Sequence, residues 1–176
     1  MAHVASYPEA RVRPMIAADV SAVIAIETEA FSTPWQADTF EGLIGREGLE
    51  LLTFEDPGDG ILGYAVLWCV LDQGELANIA VRPDLRGRGL GARLLQAVLD
   101  TCRRRGVESL YLEVRESNLA AAALYERFGF RDVGRRKNYY QSPPEDARVM
   151  ELVIEGADAG AEGADARADE QGAGER

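Results

Sequence analysis

A mixed α+β fold is predicted for this chain: one largely antiparallel sheet that contains a single parallel strand pair and is flanked by helices. Three observations carry the prediction. The apolar runs Ile61–Leu71 and Glu75–Val81 are separated by the turn Asp72-Gln73-Gly74, the pattern of an antiparallel hairpin. The second run leads through Arg82–Arg88 into a helix with Leu90, Leu94, Leu95, Val98, Leu99 and Cys102 on one face, and then into a strand at Ser109–Val114. Strand, helix and strand in that order imply a right-handed crossover and a parallel pair. Finally, 176 residues with 47% hydrophobic content suit one domain with a core of its own.

The other elements follow from local signals. Arg11–Met15 reads as a first strand. Asp19 is placed to cap a helix carrying Val20, Val23, Ile24 and Phe31 at helical spacing. Ser32-Thr33-Pro34 breaks that helix and opens a short second one through Phe40. Glu50–Phe54 is a strand, followed by a Pro/Gly/Asp loop. Gly106 closes the crossover helix. Asn118 is placed to cap a further helix, with Ala121, Leu124, Tyr125 and Phe128 on one face, and Gly129 stops it. Two last strands, Phe130–Arg136 and Arg148–Ile154, complete the sheet.

Charge and composition exclude several classes. A net charge of −11 argues against general nucleic-acid binding. From Glu155 to Arg176 seven acidic residues and two arginines give −5, which leaves −6 on the body, a balance that favours basic partners. That same segment holds nothing apolar larger than alanine, so residues 155–176 are expected to form a disordered acidic Gly/Ala-rich tail. Residues 1–10 are expected to be a flexible N-terminus ahead of a folded domain at 11–154. No apolar run approaches the ~18 residues of a membrane span. Met1–Pro8 lacks a basic stretch followed by an apolar one, so a cytoplasmic protein without a secretory leader is expected. Cys69 and Cys102 sit in apolar patterns without ligand spacing, so buried thiols are expected and no metal.

The densest motif opens the crossover helix: Arg86-Gly87-Arg88-Gly89-Leu90-Gly91-Ala92. Glycines let a backbone approach a ligand closely, and a helix N-terminus offers free N–H groups to an anion. Arg82, Arg86, Arg88 and Arg93 gather around a single Asp84, and a polyphosphate ligand would account for this positive patch in an acidic protein. A glycine turn with solvated arginines is the plain alternative. A nicotinamide dinucleotide fingerprint, Gly87-x-Gly89-x-x-Ala92 with Glu113 downstream, also fits the letters. Two features oppose it: Arg82-Pro83-Asp84-Leu85 intervenes after the strand, and an antiparallel hairpin precedes it.

The run Arg86-x-x-Gly89-x-Gly91, with this order of elements, resembles the GNAT-type N-acetyltransferase superfamily, whose motif is Gln or Arg, two residues, Gly, one residue, then Gly or Ala. Further strings resemble the bacterial ribosomal-protein-alanine N-acetyltransferases: Pro34-Trp35, Asn78-Ile79-Ala80-Val81, Leu112-Glu113-Val114-Arg115, Ser117-Asn118, Ala123-Leu124-Tyr125-Glu126, Gly129-Phe130 and Asn138-Tyr139-Tyr140. The likeness covers about Val12 to Leu152. It implies a single GNAT-like domain that uses acetyl-coenzyme A in a V-shaped opening between two splayed parallel strands. By position, the backbone of Ile79, Ala80 and Val81 would pair with the pantetheine arm. Gly87, Arg88, Gly89, Leu90, Gly91 and Ala92 would hold the pyrophosphate with Arg86 beside it, and Asn118 would hydrogen-bond the coenzyme. The implied acceptor is the N-terminal alanine of a basic ribosomal protein, small-subunit protein 18.

Transfer of an acetyl group from a thioester to an amine needs a neutral amine and a protonated leaving thiolate. The only histidine, His3, lies in the expected flexible N-terminus, so a carboxylate or a tyrosine must serve. Glu113 is the candidate base. Strand alternation sets it on a face with Tyr111 and Arg115, opposite Leu110, Leu112 and Val114. An ordinary surface glutamate or a partner of Arg115 is the alternative. The resemblance assigns thiolate protonation to Tyr125, which could equally be a packing aromatic. Trp35, Tyr139 and Tyr140 are candidate walls of the acceptor groove. An α-amine has a pKa of about 8 against about 10.4 for lysine, so a lone glutamate suits an α-amine by roughly 3 kcal/mol. Acetylation of a small amine such as a polyamine or an antibiotic, or a coenzyme A-binding regulatory module without turnover, are the competing functions.

Overall fold

The computed structural model describes residues 7–155. The N-terminal residues through Ser6, His3 included, and the acidic segment from residue 156 onward lie outside the described residues. Seven strands form one sheet in the order β1-β2-β3-β4-β5-β7-β6. They are β1 (Arg11–Pro14), β2 (Leu49–Asp56), β3 (Gly60–Val70), β4 (Gln73–Val81), β5 (Ser109–Arg115), β6 (Arg131–Gln141) and β7 (Pro144–Val153). The helices are α1 (Val20–Ala30), α2 (Ala37–Leu43), α3 (Leu90–Arg104) and α4 (Leu119–Arg127). Every strand pairing is antiparallel except β4 with β5.

The two sheet faces bury separate cores. On one face Val20, Val23 and Ile26 of α1 and Phe40 of α2 pack on Leu51, Tyr64, Val66 and Ala80. On the other, Leu94, Leu95, Val98 and Cys102 of α3 and Tyr125 of α4 pack on Leu62, Ala65, Leu67, Leu110 and Leu112. The predicted stripe of α3 is buried at every position named for it.

The parallel pair is short. Only Gln73, Gly74 and Glu75 have partners, Ser109, Leu110 and Tyr111. Two residues past Glu75 the β3–β4 register shifts: Val66 faces Asn78 but Leu67 faces Leu76, so Ala77 is an extra residue. Such a bulge bends a strand and sharpens its twist. The β4–β5 ladder ends at Glu75 and Tyr111, so Asn78–Val81 and Leu112–Arg115 run on unpaired with each other, with a slot between them.

Close approach of β3 to β4 fixes one wall of that slot. A Cβ at Gly63 would come within 2.6 Å of the Ala80 carbonyl oxygen and 3.3 Å of the Val81 Cα. Gly63→Ala is expected to lower stability by about 1–3 kcal/mol, as overpacking does. Chemical denaturation checks this, and an unchanged midpoint would show that β3 yields freely.

Local expectations were refined in four places. Asp19 stands at the N-cap position of α1, but its side chain makes no cap hydrogen bond. It lies in the 3-10 turn Ala17–Asp19, accepts the Ile16 N–H at 2.9 Å and binds Arg13 at 2.7 and 2.9 Å. That guanidinium holds the Asp19 carboxyl below its usual range, chiefly by hydrogen bonding. The second helix starts at Ala37 and runs to Leu43, because the Trp35 N–H is drawn to a side chain of α1 and Pro34-Trp35 stays out of the helix. The last two strands are longer than expected and form a hairpin about the Ser142-Pro143 turn. Lastly, Tyr7 to Ala10 of the expected flexible N-terminus are tied to the body. The Tyr7 hydroxyl donates to Asp59 at 2.8 Å, and Arg93 donates to the Tyr7 and Ala10 carbonyls.

Candidate active site

The slot between β4 and β5 is the natural centre. Ile79, Ala80 and Val81 pair along one edge with Ala65, Tyr64 and Gly63 of β3. Their other edge faces the opening, where backbone groups are free to pair with an extended ligand.

At the far end of β4 the chain passes through the 3-10 turn Pro83–Leu85 into α3. Gly87 and Gly89 take positive φ values of 75° and 79°, which favour glycine, and a Cβ at either would meet only open space. Gly89 is the N-cap of α3 with no side-chain cap, so the N–H groups of Leu90, Gly91 and Ala92 point outward. The helix end at which the sequence predicts an anion site is thus uncapped. The arginine cluster is smaller than the sequence suggested. Arg82 is taken by Asp84 at 2.7 Å and Asp59 at 3.3 Å. Arg93 turns inward to the N-terminal carbonyls and lies 5.0 Å over the Phe54 ring. Arg86 and Arg88 remain at the loop and, among the described residues, make only long bonds to the Val81 and Asp84 carbonyls.

Across the slot, β5 alternates as expected. Leu110, Leu112 and Val114 are buried, while Tyr111, Glu113 and Arg115 face the opposite side. The Glu113 side chain is 13% exposed and pairs at 3.1 Å with Arg136, itself 58% exposed. Its partner is therefore not Arg115. Burial pushes the Glu113 carboxyl up, Arg136 pulls it down, and the charge of Glu75 pushes it up again; the net direction is upward. A carboxyl so shifted is poised closer to neutral pH, as a general base should be.

Tyr125 sits behind, on α4, with its ring 5.6 Å from Phe130. Burial and the neighbouring Tyr140 raise its pKa, so it holds its proton. Among the described residues its hydroxyl has no hydrogen-bond partner. Asn118 does cap α4: its Oδ1 accepts the Ala121 N–H at 3.2 Å, and its exposed amide nitrogen bonds no described residue.

Two aromatics of β6 complete this side. A bulge between Arg136 and Tyr140, with Asn138 at φ 51°, breaks strand alternation and sets Tyr139 and Tyr140 edge to face at 5.1 Å. Tyr139 lies under Arg136, and the charge of Glu113 adds to burial in raising its pKa. Tyr140 lies under Arg115 at 4.1 Å, and burial pushes it up to about 12.

Arg115 also donates to Ser32 Oγ at 3.0 Å, to the Ser142 and Pro143 carbonyls and to Glu145. It thereby ties the α1–α2 connection, which carries Trp35, to the β6–β7 turn. Sequence reasoning missed Arg115 and Arg136 as organisers. It also missed Glu27, a carboxylate on the apolar stripe of α1 that accepts the Trp35 N–H at 2.8 Å. That stripe was the readable signal. Among the described residues no cluster of metal-ligating side chains occurs, and no helix is long and apolar enough to cross a membrane.

Comparison with known proteins agrees with this geometry. Residues 20–130 match the acetyltransferase (GNAT) family. The [Ribosomal protein bS18]-alanine N-acetyltransferase of Salmonella typhimurium is 44% identical over 138 residues, covering 77% of this chain and 92% of that protein. The enzyme of the same name from Escherichia coli K12 is 42% identical over 139 residues, with the same coverage. A crystal structure of the Escherichia coli ribosomal-protein-S18-alanine N-acetyltransferase superposes with a TM-score of 0.77 at 37% identity, covering 87% of this chain and 99% of the other. The slot, the uncapped glycine-lined helix end and these matches agree: the chain belongs to the GNAT acetyltransferase family.

Proposed function

We propose that the protein transfers an acetyl group from acetyl-coenzyme A to the α-amine of the N-terminal alanine of ribosomal protein bS18. The observation that carries the reading is the half-buried Glu113, with its raised pKa, on the lip of the slot across from the Ile79–Val81 edge. The relatives' names supply the acceptor.

The residues fit the donor. Backbone groups of Ile79, Ala80 and Val81 suit an amide-bearing pantetheine arm, and the Leu90–Ala92 N–H groups with Arg86, Gly87, Arg88 and Gly89 suit a pyrophosphate. The amide nitrogen of Asn118 is available to the coenzyme.

In the reaction a C–N bond forms and the thioester C–S bond breaks. Glu113 accepts the proton that the amine loses, directly or through a water. Tyr125 donates its hydroxyl proton to the departing sulfur, and its raised pKa keeps that hydroxyl protonated until the thiolate forms. Trp35, Tyr139 and Tyr140 wall the acceptor groove, and the acidic body attracts a basic N-terminal segment. The protein works in the cytoplasm, where ribosomal proteins are made.

Intact-mass measurement with acetyl-coenzyme A and a panel of amines tests the proposal. A peptide beginning with the bS18 sequence should gain one acetyl group. The same peptide with a blocked N-terminus, a polyamine and an aminoglycoside should not. Acetylation of the small amines in preference to the peptide would sink the reading.

A further inference from the structure

We propose that Glu27 is a positioning residue that locks the acceptor wall to the cofactor strand and so governs acceptor capture without touching the acceptor. The proposal rests on the peptide-acceptor reading given above.

Glu27 is 1% exposed. It stands on the buried face of α1 with Val20, Val23 and Ile26, where an apolar side chain would serve packing better. Among the described residues it forms no ion pair. Its carboxylate is instead met by donors from three other elements. The Tyr64 hydroxyl of β3 donates to Oε2. The Asn78 amide of β4 reaches both oxygens at 3.3 Å. The Trp35 backbone N–H donates to Oε1 at 2.8 Å. Burying a carboxyl without a cation costs desolvation, which also pushes its pKa up, so packing alone does not account for Glu27.

The partners indicate its role. Trp35 is in the connection between α1 and α2, the candidate acceptor wall. Asn78 immediately follows the Ala77 bulge and immediately precedes Ile79–Val81, the free edge of the slot. One carboxylate therefore joins the wall that would hold the acceptor to the strand that would hold the acetyl donor. A ring of contacts closes around it. Trp35 packs on Phe40 at 5.6 Å, Phe40 meets Tyr64 edge to face at 5.6 Å, and Tyr64 returns to Glu27. The same connection is fastened a second time by Ser32 to Arg115 of β5. With both fastenings made, the wall is fixed to each side of the slot. Losing the Glu27 fastening frees the end that bears Trp35.

Three measurements on the full chain test the lock: amide hydrogen exchange at Trp35, the KM for an alanine-starting bS18 peptide, and coenzyme A affinity. In Glu27→Ala the Trp35 amide should exchange about tenfold faster or more. Peptide KM should rise about tenfold or more while kcat changes less and coenzyme A affinity stays within about twofold. Glu27→Gln keeps an oxygen for the Trp35 N–H and should restore both exchange protection and KM. If Glu27→Ala does not fold, Glu27→Met, which fills the space without an acceptor, is read in its place. Wild-type peptide KM or unaltered Trp35 exchange in the folded variant would overturn the proposal. So would a glutamine variant with intact Trp35 protection but the alanine variant's KM. Accelerated Trp35 exchange in a protein whose wild type acetylates no peptide supports the lock and overturns the acceptor reading instead.

Discussion

Glu113→Gln is expected to lower acetyl transfer by about 10²-fold or more while coenzyme A affinity stays near that of the unaltered protein. Glutamine keeps the shape and the hydrogen bonding of the side chain but accepts no proton. The pH profile separates this role from a scaffold role. Burial and Glu75 raise the Glu113 carboxyl, so the unaltered enzyme should gain activity as pH climbs through that raised pKa. The glutamine variant should lack this limb and recover in part only as the acceptor's α-amine deprotonates, near a pKa of about 8. Arg136 opposes the upward shift across a 3.1 Å ion pair, so Arg136→Ala should move the acid limb to higher pH. Tyr125→Phe removes the proposed acid for the thiolate and should not be rescued by deprotonating the amine. Unaltered turnover of Glu113→Gln across the whole profile would rule out Glu113 as the essential base.

Gly89→Asp should abolish tight coenzyme A binding, with a loss of about 100-fold or more in affinity. Two effects act together. Gly89 has φ 79°, where any side chain is strained. A carboxylate there would also occupy the helix end that an anionic pyrophosphate needs, replacing attraction with like-charge repulsion. Calorimetric titration with coenzyme A reads the effect, and a melting curve shows whether the variant is folded. A folded Gly89→Asp protein with unchanged affinity would remove the α3 N-terminus from the binding site.

The readable parts of the fold were those with strong local periodicity. The α3 stripe repeats at helical spacing, and β5 alternates strictly, so both were read with their buried faces. The β6–β7 hairpin was only partly legible, because β6 is exposed along nearly its whole length and carries no apolar alternation. Sheet order was hidden for another reason: placing β7 between β5 and β6 depends on contacts far apart in sequence. The same cause hid the ion-pair partner of Glu113. Arg115 shares its strand and its face, but the pairing arginine is Arg136, delivered from β6 across β7. Proximity in sequence likewise overstated the arginine patch. Arg82 and Arg93 lie beside the glycine loop along the chain, yet each is used by the fold elsewhere. Glu27 showed only as an anomaly on an apolar stripe, since its meaning depends on Trp35, Tyr64 and Asn78 arriving from three separate segments.

The brevity of the β4–β5 ladder has a mechanical consequence. Only three ladder pairs join β4 to β5, so along this seam β1–β4 and β5–β7 are two plates held by a short ladder and by the α3 core packed across both. A pantetheine chain lying along Ile79–Val81 would supply the missing rungs and rivet the plates together. Donor binding would then be felt well outside its contacts, as slower amide exchange in both plates and a higher melting temperature, by about 2.7 kcal/mol of added stability at a ligand concentration 100 times Kd. The donor would thus be a structural part of the enzyme for as long as it is bound, and the plates would loosen each time the spent coenzyme leaves.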